Sequence, residues 1–340
     1  MNTDFDQFAY AFGKPLHYAL IRQAPEDFQV EEILGFSPSG EGEHVFLHVR
    51  KRDWNTDRVA RQLAKFCGIK QRDVSYAGMK DRHAITTQWF SVHLPGQQAP
   101  EWRDFSLDGI TILAHSRHQR KLKRGTLEGN HFTLTLRDVN GGSNAALEHR
   151  LQQIAQQGVP NYFGPQRFGE NNLANALAMF AGERKVKDRH LRSLYISAAR
   201  SWLFNQVLSM RVRLKRWHRA LPGDALQLDG SNSFFTSEQL DQTIHTRTQN
   251  FDIHPTGPLY GVGDTPLSGV AATLENKVLS QYEDWQAGLR HAKLSQARRA
   301  MRMRTENLTW TFEANNILRL NFYLYSGSYA TSVLRELVIT

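Results

Sequence analysis

Alternation of apolar and polar positions dominates the chain from Asp27 to about Arg137. Phe28 and Val30 are separated by a polar side chain, as are Val45, Leu47 and Val49, then Phe90, Val92 and Leu94, then Phe132, Leu134 and Leu136. A period of two with one apolar face predicts half-buried strands, paired mostly antiparallel. One helix interrupts them. Val59, Leu63 and Phe66 recur at i, i+4 and i+7, Asn55 or Thr56 gives a start signal and Gly68 a stop. A helix is therefore predicted over Thr56–Cys67. A second follows Gly141-Gly142-Ser143, with a stripe of Leu147, Leu151 and Ile154 that Gly158 closes.

From about residue 160 to 300 the helical period takes over, with helix predicted over Ser197–Val212 and from Asn276 to Arg304. Leu318, Leu320, Phe322 and Leu324 return to alternation, and a short helix is predicted over roughly Tyr329–Leu337. β-rich sequence thus flanks a helix-rich middle. The pattern predicts an α+β protein with a mixed, largely antiparallel sheet. One sheet-based domain is built from residues 1–158 and 304–340, and a second domain, 159–303, is inserted into it.

Charge narrows the choice of partner. The 340 residues include 42 Lys and Arg against 33 Asp and Glu, a formal net charge of +9. An excess of this size favours a polyanion, because phosphates are where clustered cations gain most. Cys67 is the one cysteine, which leaves no disulfide framework and fits a cytoplasmic location. The first 14 residues lack a basic start followed by an apolar run, so no signal peptide is expected, and no apolar stretch is long enough to span a bilayer. The chain is expected to act as a monomer away from membranes.

Two segments carry candidate chemistry. In Val74-Ser75-Tyr76-Ala77-Gly78-Met79-Lys80-Asp81-Arg82-His83-Ala84 a short strand ends at a glycine, and Asp81 stands between two cations. An Asp on such a loop would stay ionised, and could be a nucleophile, a general base or a metal ligand; it could also simply cap a turn. His115-Ser116-Arg117-His118-Gln119-Arg120-Lys121-Leu122-Lys123-Arg124 holds five Lys or Arg in ten residues and leads to Gly129-Asn130-His131-Phe132. Cations that hold phosphates beside a ring that can stack on an unpaired base suit RNA. A charged edge strand guarding against aggregation is the plainer alternative. Arg211, Arg213, Lys215, Arg216 and Arg219, and Arg298, Arg299, Arg302 and Arg304, read as solvated helix faces, with phosphate contact as the weaker possibility. No phosphate-binding G-x-x-x-x-G-K-[ST] loop is present, and Gly261-Val262-Gly263 lacks the third glycine of a dinucleotide fingerprint. One cysteine cannot make a zinc deaminase, and the 14 histidines show no ligand spacing. Neither cofactor nor metal is expected.

These segments resemble a known family. Gly78-Met79-Lys80-Asp81-Arg82-His83-Ala84 looks like the G-x-K-D-x-x-A signature of the tRNA pseudouridine synthase D family, and Asn161-Tyr162-Phe163-Gly164-Pro165-Gln166-Arg167-Phe168-Gly169 is similar to its N-Y-F-G-x-Q-R-F-G block. Pro25-Glu26-Asp27-Phe28 matches a further block. So does Leu122-Lys123-Arg124-Gly125 with Gly129-Asn130-His131-Phe132, and so does Ser328-Tyr329-Ala330-Thr331 with Leu334-Arg335-Glu336-Leu337, all in family order. The resemblance implies isomerisation of uridine to pseudouridine in tRNA, at uridine 13 of the D arm. It also implies a pseudouridine-synthase catalytic domain interrupted by a family-specific α/β domain. By motif position Asp81 becomes the nucleophile, Phe28, Asn130 and Tyr329 contact the uridine, and Arg22 is the basic partner of the aspartate. Phe132 is a further candidate to stack on the base, and Arg120, Lys121, Lys123 and Arg124 to hold the RNA backbone. Two positions depart from the family pattern: Tyr329 replaces an expected Phe, and Glu170-Asn171-Asn172 replaces a more glycine-rich stretch. The competing reading is a tRNA-binding chaperone that keeps the fold without the activity, against which the intact Asp81 loop argues.

Overall fold

The computed structural model describes residues 5–340. In chain order the strands and helices are β1 (Tyr18–Leu20), β2 (Phe28–Ile33), β3 (His44–Arg52), α1 (Thr56–Phe66), β4 (Val74–Tyr76), β5 (Ile85–His93), β6 (Ile110–His118) and β7 (Gly129–Asn140). Then follow α2 (Asn144–Gln157), β8 (Val159–Pro160), α3 (Asn172–Phe180), α4 (Arg189–Arg213), β9 (Asp224–Leu228), β10 (Phe234–Ser237), α5 (Gln242–Gln249) and β11 (Ile253–Leu259). The last are α6 (Gly269–Leu279), α7 (Glu283–His291), β12 (Ala297–Ala300), β13 (Arg302–Met303), β14 (Glu306–Glu313), β15 (Ile317–Tyr325) and α8 (Ala330–Leu337).

The chain forms two compact units. A sheet unit holds His17–Ser143, Thr305–Ser328 and the last two residues; a helical unit holds residues 5–16, Asn144–Arg304 and Tyr329–Val338. The first break falls before α2 rather than near residue 158, because α2 buries Leu147, Leu151 and Ile154 and packs against α8. Residues 329–338 accordingly belong with the middle of the chain.

In the sheet unit nine strands form one sheet, ordered β14-β15-β7-β2-β5-β3-β6, with β1 added to β7 and β4 to β5. Only β2 and β5 run parallel; the other pairs are antiparallel. Strands from both ends of the chain therefore share it. Register decides what each face carries, since cross-strand partners project to the same side. Leu47 pairs with Phe90, Val49 with Gln88 and Lys51 with Thr86; Thr86 pairs with Val30, Val30 with Phe132, and Glu32 with Asn130. At one end this face is apolar, and Val59, Ala60, Leu63 and Ala64 of α1 cover Val45, Leu47, Val49, Phe90 and Val92. Toward the middle the same face turns polar.

The helical unit is centred on α4, whose Trp202, Leu203, Phe204, Val207 and Leu208 are buried against α3, α7 and Phe8. Beside it lies a four-stranded sheet, β10-β9-β11-β12, and a two-stranded pair, β13-β8. The helix predicted from Asn276 to Arg304 is a correction: two short helices are followed by strands from Ala297 onward. Ala, Arg and Met favour helix, but Ala297–Ala300 pairs with Thr256–Leu259, and tertiary pairing overrides propensity. The reading of both arginine runs as solvated faces holds for the exposed Arg213, Lys215, Arg216, Arg219 and Arg304 and is corrected at Arg211 and Arg298. Arg211 is buried and doubly bonded to Asp224 (3.0 and 2.7 Å), and Arg298 is buried against Glu275 (2.8 and 2.9 Å).

Candidate active site

The polar half of the sheet face is a buried island of Glu32, Lys51, Thr86 and Gln88, joined by Thr56 from the start of α1. Buried polar groups need partners, and here the partners are the loop that links β4 to β5. Gln88 Nε2 donates to the Gly78 carbonyl (3.2 Å), and the Lys80 backbone N–H donates to Thr56 Oγ1 (3.1 Å), which in turn donates to Gln88 Oε1 (2.9 Å). Lys51 Nζ donates to the Asp81 carbonyl (2.9 Å) and to the Trp54 carbonyl (2.6 Å). The backbone of residues 78–81 is thus fixed from below by side chains of β3, β5 and α1.

Lys80 and Asp81 then point apart. Lys80 turns into the sheet and pairs with buried Glu32 (2.7 Å). Glu32 also accepts from the Trp89 backbone N–H (3.2 Å). Asp81 turns outward, its side chain 42% exposed, and meets Arg22 at 2.9 Å. Arg82 faces Asp53 at 3.7 Å, on the surface. The cations adjacent to Asp81 in sequence are therefore not its partners. Those partners, Arg22 for the carboxylate and Lys51 for the carbonyl, come from elsewhere in the chain. Burial pushes the Lys51 ammonium down to about 8, with Asp81 and Asp53 opposing the shift and Lys80 adding to it.

Arg22 sits in the left-handed region at φ 56°, a strained conformation for an arginine. Its guanidinium lies over the Phe28 ring at 4.2 Å, so one ring aims the cation that holds the aspartate. Phe28 and Phe132 are only 4% and 8% exposed. They meet edge to face at 6.2 Å, and Phe132 stacks on Phe322 at 5.4 Å. Asn130, opposite Glu32 in register, has its Oδ1 buried without a hydrogen-bond partner, and so does Thr86 Oγ1. A buried acceptor that the protein leaves unpaired, opposite Glu32 in register, calls for a donor from elsewhere.

The basic run lies at the end of β6 and in the loop before β7. Arg120 and Lys123 are exposed; Lys121 Nζ donates to the Arg72 carbonyl (3.1 Å), and Arg124 lies over the Tyr76 ring (4.4 Å) and donates to its hydroxyl (2.9 Å). Tyr76 in turn hydrogen-bonds Asp57.

The family profile described as tRNA pseudouridine synthase D (TruD) matches residues 4–179 and 172–337. The chain belongs to that family. A TruD from Methylococcus capsulatus is 49% identical over 336 residues, covering 98% of this chain and 95% of that one. A TruD from Hydrogenovibrio crunogenus is 48% identical, covering 97% and 95%. A crystal structure carrying the TruD name from Methanosarcina mazei shares the fold, with a TM-score of 0.75 at 22% identity over 97% of this chain and 95% of its own. By family the chain is a tRNA pseudouridine synthase, an isomerase.

Other TruD blocks meet in the helical unit. The Tyr329 hydroxyl accepts from Arg167 Nη2 (3.0 Å), and its ring lies 6.5 Å from Phe163. Arg299 stands over Phe163 at 4.2 Å and donates to Asn161 (2.6 Å). Tyr329 thus sits in the unit that does not contain Asp81, bound to the Asn161–Gly169 block. Sequence reading missed Lys51, Glu32, Thr56 and Gln88. The signal available for Lys51 was a lysine at the core-facing phase of a strand, where Val45, Leu47 and Val49 precede it. Among the described residues no group of three or more His, Cys, Asp or Glu could hold a metal, and no helix is long and apolar enough to cross a membrane.

Proposed function

We propose that this chain isomerises uridine to pseudouridine in tRNA, at uridine 13 of the D arm, and that Asp81 is the nucleophile. In this reading the sheet unit is the catalytic one and the helical unit the insertion. The observation that carries it is an outward-facing carboxylate held by Arg22 at 2.9 Å, on a loop fixed by hydrogen bonds to a buried polar layer. A positioned carboxylate can form a covalent intermediate and split one hard step into two. An Asp81 oxygen bonds to the uridine, at C1′ or at C6, and the N1–C1′ bond breaks. The uracil turns over, C5 bonds to C1′, and the carboxylate leaves. C5 gives up a proton and N1 ends with one, so no redox equivalent or energy source is consumed. Arg22 steadies the carboxylate, Lys51 and Gln88 steady the loop, and Asn130 offers its free acceptor to the base. The flipped base needs new stacking contacts, which supply roughly 1–3 kcal/mol per base in RNA-binding sites.

Asp81→Asn tests the assignment. Asn keeps the shape and loses the charge, so the variant folds and binds tRNA but forms no pseudouridine at any position. Position-resolved detection of pseudouridine on unmodified tRNA reads both claims. Conversion by the variant would sink the nucleophile, and wild-type conversion at a different uridine would sink the site.

A further inference from the structure

In the helical unit, two arginine runs distant in sequence converge on one cavity that the proposed reaction does not use. It encloses about 350 Å³ between the end of α2, the loop after α4, α5 and β13. Its charged and titratable lining is His218, Arg219, His245 and Arg302; Gln157 and Gln249 add polar groups, and no acidic residue lines it. Arg216 and Arg304 lie close enough to act on His218 and Arg302 respectively. Of the nine basic residues in these runs, Arg211 and Arg298 are used up in buried ion pairs. Four of the others gather here.

Arg302 is 3% exposed, and no carboxylate lies within ion-pair distance of it among the described residues. It donates to the Gln157 carbonyl and to the Thr248 carbonyl, both at 2.7 Å, and lies over Phe251 at 3.5 Å. Those carbonyls belong to the last turns of α2 and α5, whose dipoles offset part of the charge and leave the site net positive. Asp229 is the acid that acts on Arg302 from a distance, and it is bound to His254 at 2.8 Å. His218 Nδ1 is buried without a partner. Burial, and then Arg302, Arg219 and Arg216, push the His218 imidazolium down to about 4, so the ring is neutral and has one N–H to offer. A buried arginine with no carboxylate in ion-pair distance, beside an imidazole nitrogen without a hydrogen-bond partner, forms a receptor for a compact anion.

We propose that this cavity binds a phosphate group of the RNA substrate, with Arg219 and Arg216 at its mouth and His218 and Arg302 within. It is then a second RNA contact, in the unit that does not carry Asp81. The inference rests on tRNA being the substrate. Arg302 supports two helices and is left intact; Arg219 is exposed and can be changed without touching the core. The test compares wild type, Arg219→Gln and Arg219→Glu, plus the Arg216→Gln/Arg219→Gln pair. It measures tRNA affinity across a salt series, pseudouridine formation, and the His218 ring resonances during titration with inorganic phosphate. Arg219→Gln should weaken tRNA binding roughly tenfold and flatten the slope of log K against log salt by about one, Arg219→Glu should weaken it more, and phosphate should shift His218. Unchanged affinity and slope, with wild-type conversion intact, overturn this inference and leave the proposed function standing. The same result with a phosphate-shifted His218 overturns it in favour of a small phosphorylated ligand. A wild type that binds no tRNA overturns both.

Discussion

Replacing Lys51 separates loop positioning from fold stability. Lys51 is 0% exposed, and its ammonium spans the Trp54 and Asp81 carbonyls at 2.6 and 2.9 Å. Asp81, Lys80 and Asp53 are the charged groups that act on it. Its fall from 10.5 to about 8 corresponds to roughly 3 kcal/mol of burial cost. Below about pH 8 folded and unfolded chains both hold this proton, and the folded state carries the whole cost. Between about 8 and 10.5 the folded lysine is neutral while the unfolded one is still charged, so this group's contribution to stability rises with pH. Activity should move the other way. The neutral amine makes weaker bonds to the two carbonyls, the Asp81 loop loosens, and a misplacement of about 1 Å can cost on the order of 100-fold. Wild-type kcat should therefore fall above about pH 8 while the thermal midpoint does not fall with it. Lys51→Met keeps the apolar stem and discards the charge together with its burial cost. It should fold, turn over roughly 10- to 100-fold slower, and lack the alkaline limb. The assay is single-turnover pseudouridine formation with saturating tRNA across pH, beside melting curves in the same buffers. Wild-type turnover in Lys51→Met, or the same alkaline limb in the variant, would refute the positioning role.

Replacing Arg120, Lys121, Lys123 and Arg124 with Ala should weaken tRNA binding and reduce the salt slope, and an unchanged slope in filter binding removes this segment from the RNA surface. Phe132→Ala should cost about 3–5 kcal/mol in chemical denaturation, because its ring fills space between Phe28 and Phe322; a loss below about 1 kcal/mol would show the ring is not core. Tyr329→Phe removes the bond to Arg167 and should lower stability by about 0.5–1.5 kcal/mol with pseudouridine formation retained, whereas abolished turnover would give the hydroxyl a chemical role.

The strands of the sheet unit were legible because one face is apolar along most of each strand, and the period survives even in β15, far from β2 in sequence. The stretch after His291 was not legible, because arginine, alanine and methionine prefer helix and only the partner strand β11 makes Ala297–Ala300 extended. Asp81 could be singled out by its loop and by family resemblance. Its partners were harder. Lys80 and Arg82 are nearest along the chain, but the turn sends one toward Glu32 and the other toward Asp53. Lys51 stands at the core-facing phase of Val45, Leu47 and Val49, and only register opposite Thr86 shows that the strand is still covered there. Arg211 and Arg298 show the same limit: a basic run does not reveal which members find a buried acid.

The pairing of β15 with β7 bears on how the chain is made. Gly129–Leu136 finds its partner in Leu318–Tyr325, nearly two hundred residues later. While the ribosome is producing α2 through β13, β7 is paired with β2 on one side and is the outermost strand on the other, and Phe132 and Leu134 lack Phe322 and Leu320 against them. An open, apolar strand edge is a template for wrong pairing. At a synthesis rate of about 5–20 residues per second the exposure lasts on the order of ten seconds or more. Nascent chains arrested between Asn144 and Arg304 should accordingly be the ones that chaperones hold and proteases cut, and release of β14 and β15 should end that susceptibility.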